Sequence, residues 1–357
     1  MDKIGRKYSI CIWSAVLSIG NAFQVGSQYP YWEVMLIGRI VAGLGVGGLL
    51  VVTPAFTCES APAHIRAATV SCYNLFVTFG QVVANLVNFG TNELTGTVQW
   101  RPPIGLGWVW CLALGGGVLL FPDTPRHDFR HGRVDRAANT MAGYYMLAEM
   151  QAKLQIEEES KAGFMDIFTA PRMLYRVLLG CAVMAIQQLA GNNFFVYFGT
   201  SLFTSVGIPN PFVTAIILGV VNCVGTIPGL YLVEQFGRRR CLTIGASSNC
   251  IMFLIYASLG QFALTNSDGT NDQIIGYLMI VFACLFIFVF AATWGPMAWT
   301  VISEIFPSQF RSVGISLSCT SVWIFNFYIA FSTSFVVNAI GFAYGYFFAA
   351  CAISLSH

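Results

Sequence analysis

The stretch from residue 275 to residue 300, IGYLMIVFACLFIFVFAATWGPMAWT, contains no charged side chain. The hydrocarbon core of a bilayer is about 30 Å thick and is crossed by roughly 20 apolar residues in a helix. Lipid offers no hydrogen bonds to an exposed backbone, and a helix satisfies its own. The stretch is therefore predicted to be a transmembrane helix.

The same pattern recurs along the whole chain and predicts an all-α membrane protein. Ten segments qualify, near residues 8–26, 34–56, 67–90, 103–122, 174–198, 212–233, 241–263, 275–300, 312–335 and 339–355. The chain is 56% hydrophobic and only 10% charged, whereas soluble domains are about 25% charged. This composition excludes a disordered chain, a nucleic-acid binder and most soluble enzymes.

Basic residues predict how the chain lies in the membrane, because Lys and Arg collect in cytoplasmic loops. If the ten segments alternate in direction, all 18 Lys and Arg residues except Arg39 and Arg101 fall on one side. We therefore expect a multi-pass protein with a cytoplasmic amino terminus. Its expected location is the plasma membrane. The polar stretch 127–172 is expected to form a helical loop on the same side.

Two motifs occur twice in the same order, which indicates an internal repeat. Asp2-x-x-Gly-Arg-Lys is matched by Glu234-x-x-Gly-Arg-Arg, and Glu59 with Arg66 is matched by Glu304 with Arg311. Parallel repeats of this kind are typical of membrane transporters. We expect an amino-terminal half over 1–126 and a six-helix half over 173–357.

The second copy of the repeat is preceded by two more predicted helices than the first copy. We therefore expect about ten of twelve helices to be present, with two helices missing before residue 1 and a cytoplasmic tail missing after residue 357.

Several motifs resemble those of the sugar porter family of the major facilitator superfamily, most of all fungal hexose transporters. The most specific is Gln187-Gln-Leu-x-Gly-x-Asn193, which resembles the seventh-helix motif of that family. Pro122-Asp-Thr-Pro-Arg126 resembles the end of the sixth helix, and Gly295-Pro-x-x-Trp299 resembles the tenth. The resemblance covers essentially the whole chain and implies a major facilitator fold with two parallel, pseudo-symmetric halves.

The resemblance also implies a set of sugar-binding residues. They are Gln187, Gln188, Asn193, Asn222, Trp299, Asn326, Asn74, Gln81, Tyr197 and Trp323. Amides suit the task because each offers donors and an acceptor to sugar hydroxyls, and an indole offers a flat apolar platform. Such residues also serve as interhelical ties or as ordinary core packing.

A second implied set is a cytoplasmic gate of charged residues that pair between helices. Its members are Asp2, Gly5, Arg6, Glu59, Arg66, Arg126, Glu234, Gly237, Arg238, Arg239, Glu304 and Arg311. Charges at this level can instead extend towards water. The glycines at 43, 45, 47 and 48 are interpreted as positions of close helix packing.

The resemblance thus implies transport of a monosaccharide, glucose or a related hexose, by alternating access. The expected partners are the sugar and the lipid bilayer, with or without a coupled proton, and the expected state is a monomer. No catalytic residue, metal site or cofactor is predicted. Alternatives are a transporter-like sugar sensor, a porter for a pentose, polyol or quinate, and an inactive fragment.

Overall fold

The computed structural model describes residues 4–28, 30–61, 66–124, 166–196, 210–264, 273–307 and 310–354. Within these ranges the chain is mainly helical, and no strand occurs in them. The longer helices are α1 (Arg6–Gly26), α2 (Trp32–Ser60), α3 (Arg66–Thr91), α4 (Arg101–Leu120), α5 (Met173–Leu189), α6 (Pro211–Gln235), α7 (Arg238–Ser258), α8 (Gln273–Ala292), α9 (Trp294–Ile305), α10 (Arg311–Ile340) and α11 (Tyr344–Ser354).

Shorter elements join them. Asp166–Thr169 is a single helical turn, Gly96–Val98 and Gly341–Ala343 are 3₁₀ turns, and Leu259–Ala263 extends α7 as a π-helix.

All ten predicted transmembrane segments fall on helices. In the described part of the chain, 8 helical stretches are long and apolar enough to cross a membrane. The remaining two segments correspond to α3, which has 26 residues, and to the shorter apolar helix Gly341–Ala352. The prediction of an all-α membrane protein is confirmed.

The described residues form two compact units. One comprises those within Met1–Thr69, Gly90–Thr169 and Pro307–Val313, and the other those within Val70–Phe89, Ala170–Phe306 and Gly314–His357. The central part of α3 therefore groups with the second unit. The predicted halves, 1–126 and 173–357 with the loop 127–172, remain a prediction.

In the first unit, α1 packs closely against α2 because small residues allow their backbones to approach. A Cβ at Gly45 would lie 2.7 Å from the Leu17 backbone nitrogen, and a Cβ at Gly48 would collide with the Trp13 ring. Among the described residues, no atom lies within 4 Å of a Cβ built at Gly43 or Gly47. The packing interpretation holds for two of the four glycines.

In the second unit, aromatic rings fill the core between α5, α7, α8 and α11. Phe253 stacks on Phe195 with ring centroids 5.2 Å apart and meets Phe286 edge-on at 4.5 Å. Aromatic pairs in these arrangements are favourable beyond their buried area. This core packs α5, which carries Gln187 and Gln188, against α7, α8 and α11.

Candidate functional site

The seventh-helix motif lies where α5 is interrupted. Gly191 has a φ of 91°, and a Cβ there would lie 2.5 Å from the Phe253 ring. An L-residue is strained at this φ, and the ring leaves no room for a side chain, so both constraints favour glycine. Helical structure resumes at Asn192, and the Asn193 amide nitrogen donates to Gln188 Oε1. The break thus brings two predicted ligands into contact.

Gln187 ties this motif to the start of α9. Its side chain is 6% exposed, and Nε2 donates to the carbonyl oxygens of Trp294 at 3.2 Å and Gly295 at 3.3 Å. α8 ends just before Thr293, whose ψ is −77°, and Pro296 has no N–H to contribute to the helix. Because the donors of the amide are engaged, Gln187 would meet a ligand as a hydrogen-bond acceptor through Oε1.

Amides also join α3 to α6. Asn222 is buried, and its Nδ2 donates to Gln81 Oε1 at 3.3 Å. One turn along α3, Asn85 Nδ2 donates to the Ala215 carbonyl at 2.9 Å. The sequence analysis missed Asn85, although its spacing of four residues from Gln81 places both on one helix face.

An aromatic pair joins α3 to α9 in the same unit. Trp299 is 8% exposed, and the ring of Tyr73 meets it edge-on with centroids 5.7 Å apart. Asn74 lies close to α9, since a Cβ built at Gly295 would be 3.0 Å from its Nδ2. Tyr73 was also missed, and its only sequence signal is its position next to Asn74.

The remaining predicted binding residues lie on α10 or outside the described residues. Asn326 is half-buried on α10, and Trp323, one turn earlier, is 46% exposed. Tyr197 lies outside the described residues. The structure therefore brings amides and rings from α3, α5, α6 and α9 together in one unit, and the role of each in binding remains a prediction.

The first copy of the gate motif forms a two-point ion pair. Arg6 Nε and Nη2 donate to the two carboxylate oxygens of Glu59 at 3.3 and 3.1 Å, and both side chains are less than 10% exposed. Beside it, Lys7 Nζ donates to the carbonyls of Leu119 and Phe121, each at 2.8 Å. A cation at the end of α4 is favourable because that end of a helix carries negative partial charge.

The second copy has the same geometry in a more exposed setting. Arg238 Nε and Nη2 donate to the carboxylate of Glu304 at 3.2 and 2.6 Å, with the side chains 38% and 45% exposed. Gly5 and Gly237 precede α1 and α7 with φ of 94° and 76°. Each repeated motif therefore encodes a glycine turn followed by a paired arginine.

The other members of the predicted gate are described only in part. Arg311 Nη1 lies 3.9 Å from Cys58 Sγ, and Arg239 is exposed. Asp2 and Arg126 lie outside the described residues, as do the side chains of Arg66 and Glu234.

Comparison with known proteins assigns the fold and the family. The chain matches the family described as "Sugar (and other) transporter" over residues 1–356. The chain belongs to this family. Its members are transporters, so the chain belongs with transporters rather than enzymes. It is a multi-pass membrane protein.

Members of the family from fungi are similar over nearly the whole chain. The high-affinity hexose transporter HXT6 of Saccharomyces cerevisiae is 38% identical over 99% of this chain and 64% of its own length. The high-affinity fructose transporter ght6 of Schizosaccharomyces pombe is 39% identical over 98% of this chain and 68% of its own length. The chain thus spans about two thirds of the length of these curated relatives.

Solved structures confirm the major facilitator fold. The proton:xylose symporter XylE bound to 6-bromo-6-deoxy-D-glucose superposes with a TM-score of 0.85 at 22% identity, over 99% of this chain and 79% of that one. The transporter FucP in its outward conformation gives a TM-score of 0.65 at 13% identity, over 100% of this chain and 83% of that one.

Proposed function

We propose that the chain recognises a hexose and carries it across a membrane by alternating access. The observation that carries this proposal is the group of neutral amides and aromatic rings in the second unit, centred on Gln187, Asn222 and the Tyr73–Trp299 pair. Hydroxyl groups require neutral donors and acceptors, and the apolar face of a pyranose suits an aromatic ring. The fungal relatives are named as hexose, glucose and fructose transporters.

The arrangement of α9 supports a link between binding and gating. Gln187 bonds to its first two residues, Trp299 lies near its middle, and Glu304 near its end pairs with Arg238. A helix of 12 residues is about 18 Å long. A sugar that displaced Gln187 or Trp299 would therefore act on the helix that carries the ion pair. This is the kind of coupling that alternating access requires.

We further propose a monomer in the plasma membrane with its amino terminus in the cytoplasm, and the sugar and lipid as its partners. Transport by facilitated diffusion and transport coupled to protons remain to be distinguished by experiment. Proton coupling occurs in the structural neighbour described as a proton:xylose symporter.

Uptake of labelled glucose by yeast cells that lack their own hexose transporters tests the proposal. The chain is expressed in these cells, and surface expression is measured in parallel. We expect saturable uptake that unlabelled glucose competes away. Inhibition by a protonophore would indicate proton coupling, and insensitivity would indicate facilitated diffusion.

Substitutions in the site separate recognition from folding. Gln187→Leu is expected to lower glucose affinity because it removes the acceptor, and Gln187→Glu is expected to retain part of it. The proposal would be refuted if the chain were correctly inserted in the membrane but neither transported nor bound any monosaccharide.

A further inference from the structure

The start of α6, which is the end remote from the Arg238–Glu304 ion pair, is hydrogen-bonded to α3. Asn85 Nδ2 donates to the carbonyl oxygen of Ala215, in the second turn of α6, at 2.9 Å. At ~1.5 Å per residue, Ala215 lies about 30 Å along the helix from Gln235, which is close to the thickness of a bilayer core. Arg238, whose partner is Glu304, begins the next helix. The hydrogen bond and the ion pair thus lie at opposite ends of one membrane-crossing helix.

The two helices approach each other closely at this end because α6 carries a glycine there. A Cβ built at Gly219, one turn after Ala215, would lie 3.0 Å from Asn85 Nδ2 and 3.6 Å from Val82 Cγ2. Non-bonded heavy atoms prefer a separation of about 3.5–4.0 Å, so a side chain at position 219 would press on the nitrogen that donates the hydrogen bond. We call this contact, formed by Val82, Asn85, Ala215 and Gly219, the α3–α6 seam.

The seam adjoins two of the predicted sugar-binding residues. One turn along each helix, Asn222 Nδ2 donates to Gln81 Oε1 at 3.3 Å. A sugar hydroxyl that bound Asn222 would compete with Gln81 for that amide, since a hydroxyl accepts hydrogen bonds from the same donors. Sugar in the site would therefore weaken the contact next to the seam and leave Asn85 to hold the helices together.

The seam joins helices from the two halves that the sequence predicts, because α3 belongs to 1–126 and α6 to 173–357. In alternating access the halves rock about a central site, so that one end opens while the other closes. A contact between the halves at one end must then break and form again in every cycle. A single neutral hydrogen bond suits this task because breaking it costs far less than breaking a buried ion pair.

We propose that Asn85 is a positioning residue that, together with Gly219, holds the α3–α6 seam closed, and that the sugar enters when this seam opens. The inference rests on the proposed function. With the amino terminus in the cytoplasm, α3 begins on the inner side of the membrane, so the seam lies towards the outer side. The chain then has an outer closure made by a neutral amide and an inner closure made by ion pairs.

Chemical labelling of the seam in intact cells that express the full chain tests the proposal. The reporter is Val82→Cys, treated from outside with a membrane-impermeant maleimide, and peptide mass spectrometry distinguishes position 82 from the 11 native cysteines. Adding Asn85→Leu removes the donor at similar volume and should raise the labelling rate about tenfold, which corresponds to about 1.4 kcal/mol for one lost hydrogen bond. Leu86→Ala, a change at the exposed neighbour on α3, should leave the rate unchanged.

Further variants separate a moving contact from a fixed structural one. Gly219→Ala crowds the Asn85 donor and should also raise the labelling rate. Gly80→Ala is its control, because no described atom lies within 4 Å of a Cβ built there. Arg238→Gln weakens the inner closure and should lower the labelling rate, since the halves open at one end at a time. A fixed contact would not respond to a substitution about 30 Å away along α6.

The outcomes for the seam and for the proposed function are distinct. Unchanged labelling in both Asn85→Leu and Gly219→Ala, at confirmed surface expression, would overturn the role of Asn85. Normal glucose uptake in the same cells would then leave the proposed function intact. Raised labelling in both variants, from a parent chain that transports no monosaccharide, would support the seam as a moving contact and count against the proposed substrate.

Discussion

The two copies of the gate motif allow one interaction to be measured in two environments. Arg6–Glu59 and Arg238–Glu304 use the same atoms, with Nε and Nη2 of the arginine on the two oxygens of the glutamate. They differ in exposure, because the side chains of the first pair are 9% and 7% exposed and those of the second 38% and 45%. Glu59→Gln and Glu304→Gln therefore form a matched pair of perturbations.

The exposure of the side chains in each ion pair determines how much stability its substitution should cost. Removing one partner of a buried ion pair costs about 3–5 kcal/mol, since the remaining charge stays in a medium that solvates it poorly. Breaking an exposed pair costs about 0–1 kcal/mol, because water solvates both groups. At about 2–4 °C per kcal/mol, Glu59→Gln should lower Tm by roughly 6–20 °C and Glu304→Gln by less than about 4 °C.

Thermal unfolding of the purified full chain in one detergent, followed by intrinsic fluorescence, measures both shifts. A salt series adds a second test, because screening acts mainly on exposed charges. Added salt should reduce the effect of Glu304→Gln more than that of Glu59→Gln. Equal shifts for the two variants, or a larger shift for Glu304→Gln, would refute the assignment of the stability difference to burial.

Three further predictions concern the break in α5, the aromatic pair and the gate. Gly191→Ala should destabilise the chain by about 2–5 kcal/mol, since strain of about 1–2 kcal/mol at positive φ adds to overpacking of about 1–3 kcal/mol. Gly237→Ala, with positive φ and no described atom within 4 Å of a Cβ built there, should show only the strain in the same melting assay. Trp299→Leu should weaken glucose binding about tenfold, or about 1.4 kcal/mol, in equilibrium dialysis because the ring platform is lost; undiminished affinity would exclude stacking. Glu304→Gln should slow uptake while leaving that affinity intact, and unchanged uptake at normal surface expression would exclude a gating role.

Much of the fold could be predicted because membrane insertion depends on local sequence. A segment crosses lipid when roughly 20 consecutive residues are apolar, and the ten predicted segments fall on helices for that reason. The repeat could also be recognised, because Gly-Arg at a helix start and a glutamate further along the chain recur in the same order. The structure adds that each repeat forms the same two-point ion pair.

The site was predicted in part. Gln187, Gln188 and Asn193 were found through a motif, but the motif does not reveal that Gln187 bonds to the backbone of α9. Asn85 and Tyr73 were missed because each is defined by its partner on a distant helix.

The sequence by itself determined that this is a helical membrane protein with a duplicated plan and a family motif, because hydropathy, basic residues and spacing are properties of short segments. Only the tertiary structure decided which polar groups are satisfied. It buries Arg6–Glu59, exposes Arg238–Glu304 and joins the Asn85 amide to the backbone of α6. The physical reason is that burial and hydrogen bonding depend on residues far apart in the chain, and in a low-dielectric interior those two quantities set the energy of each polar group.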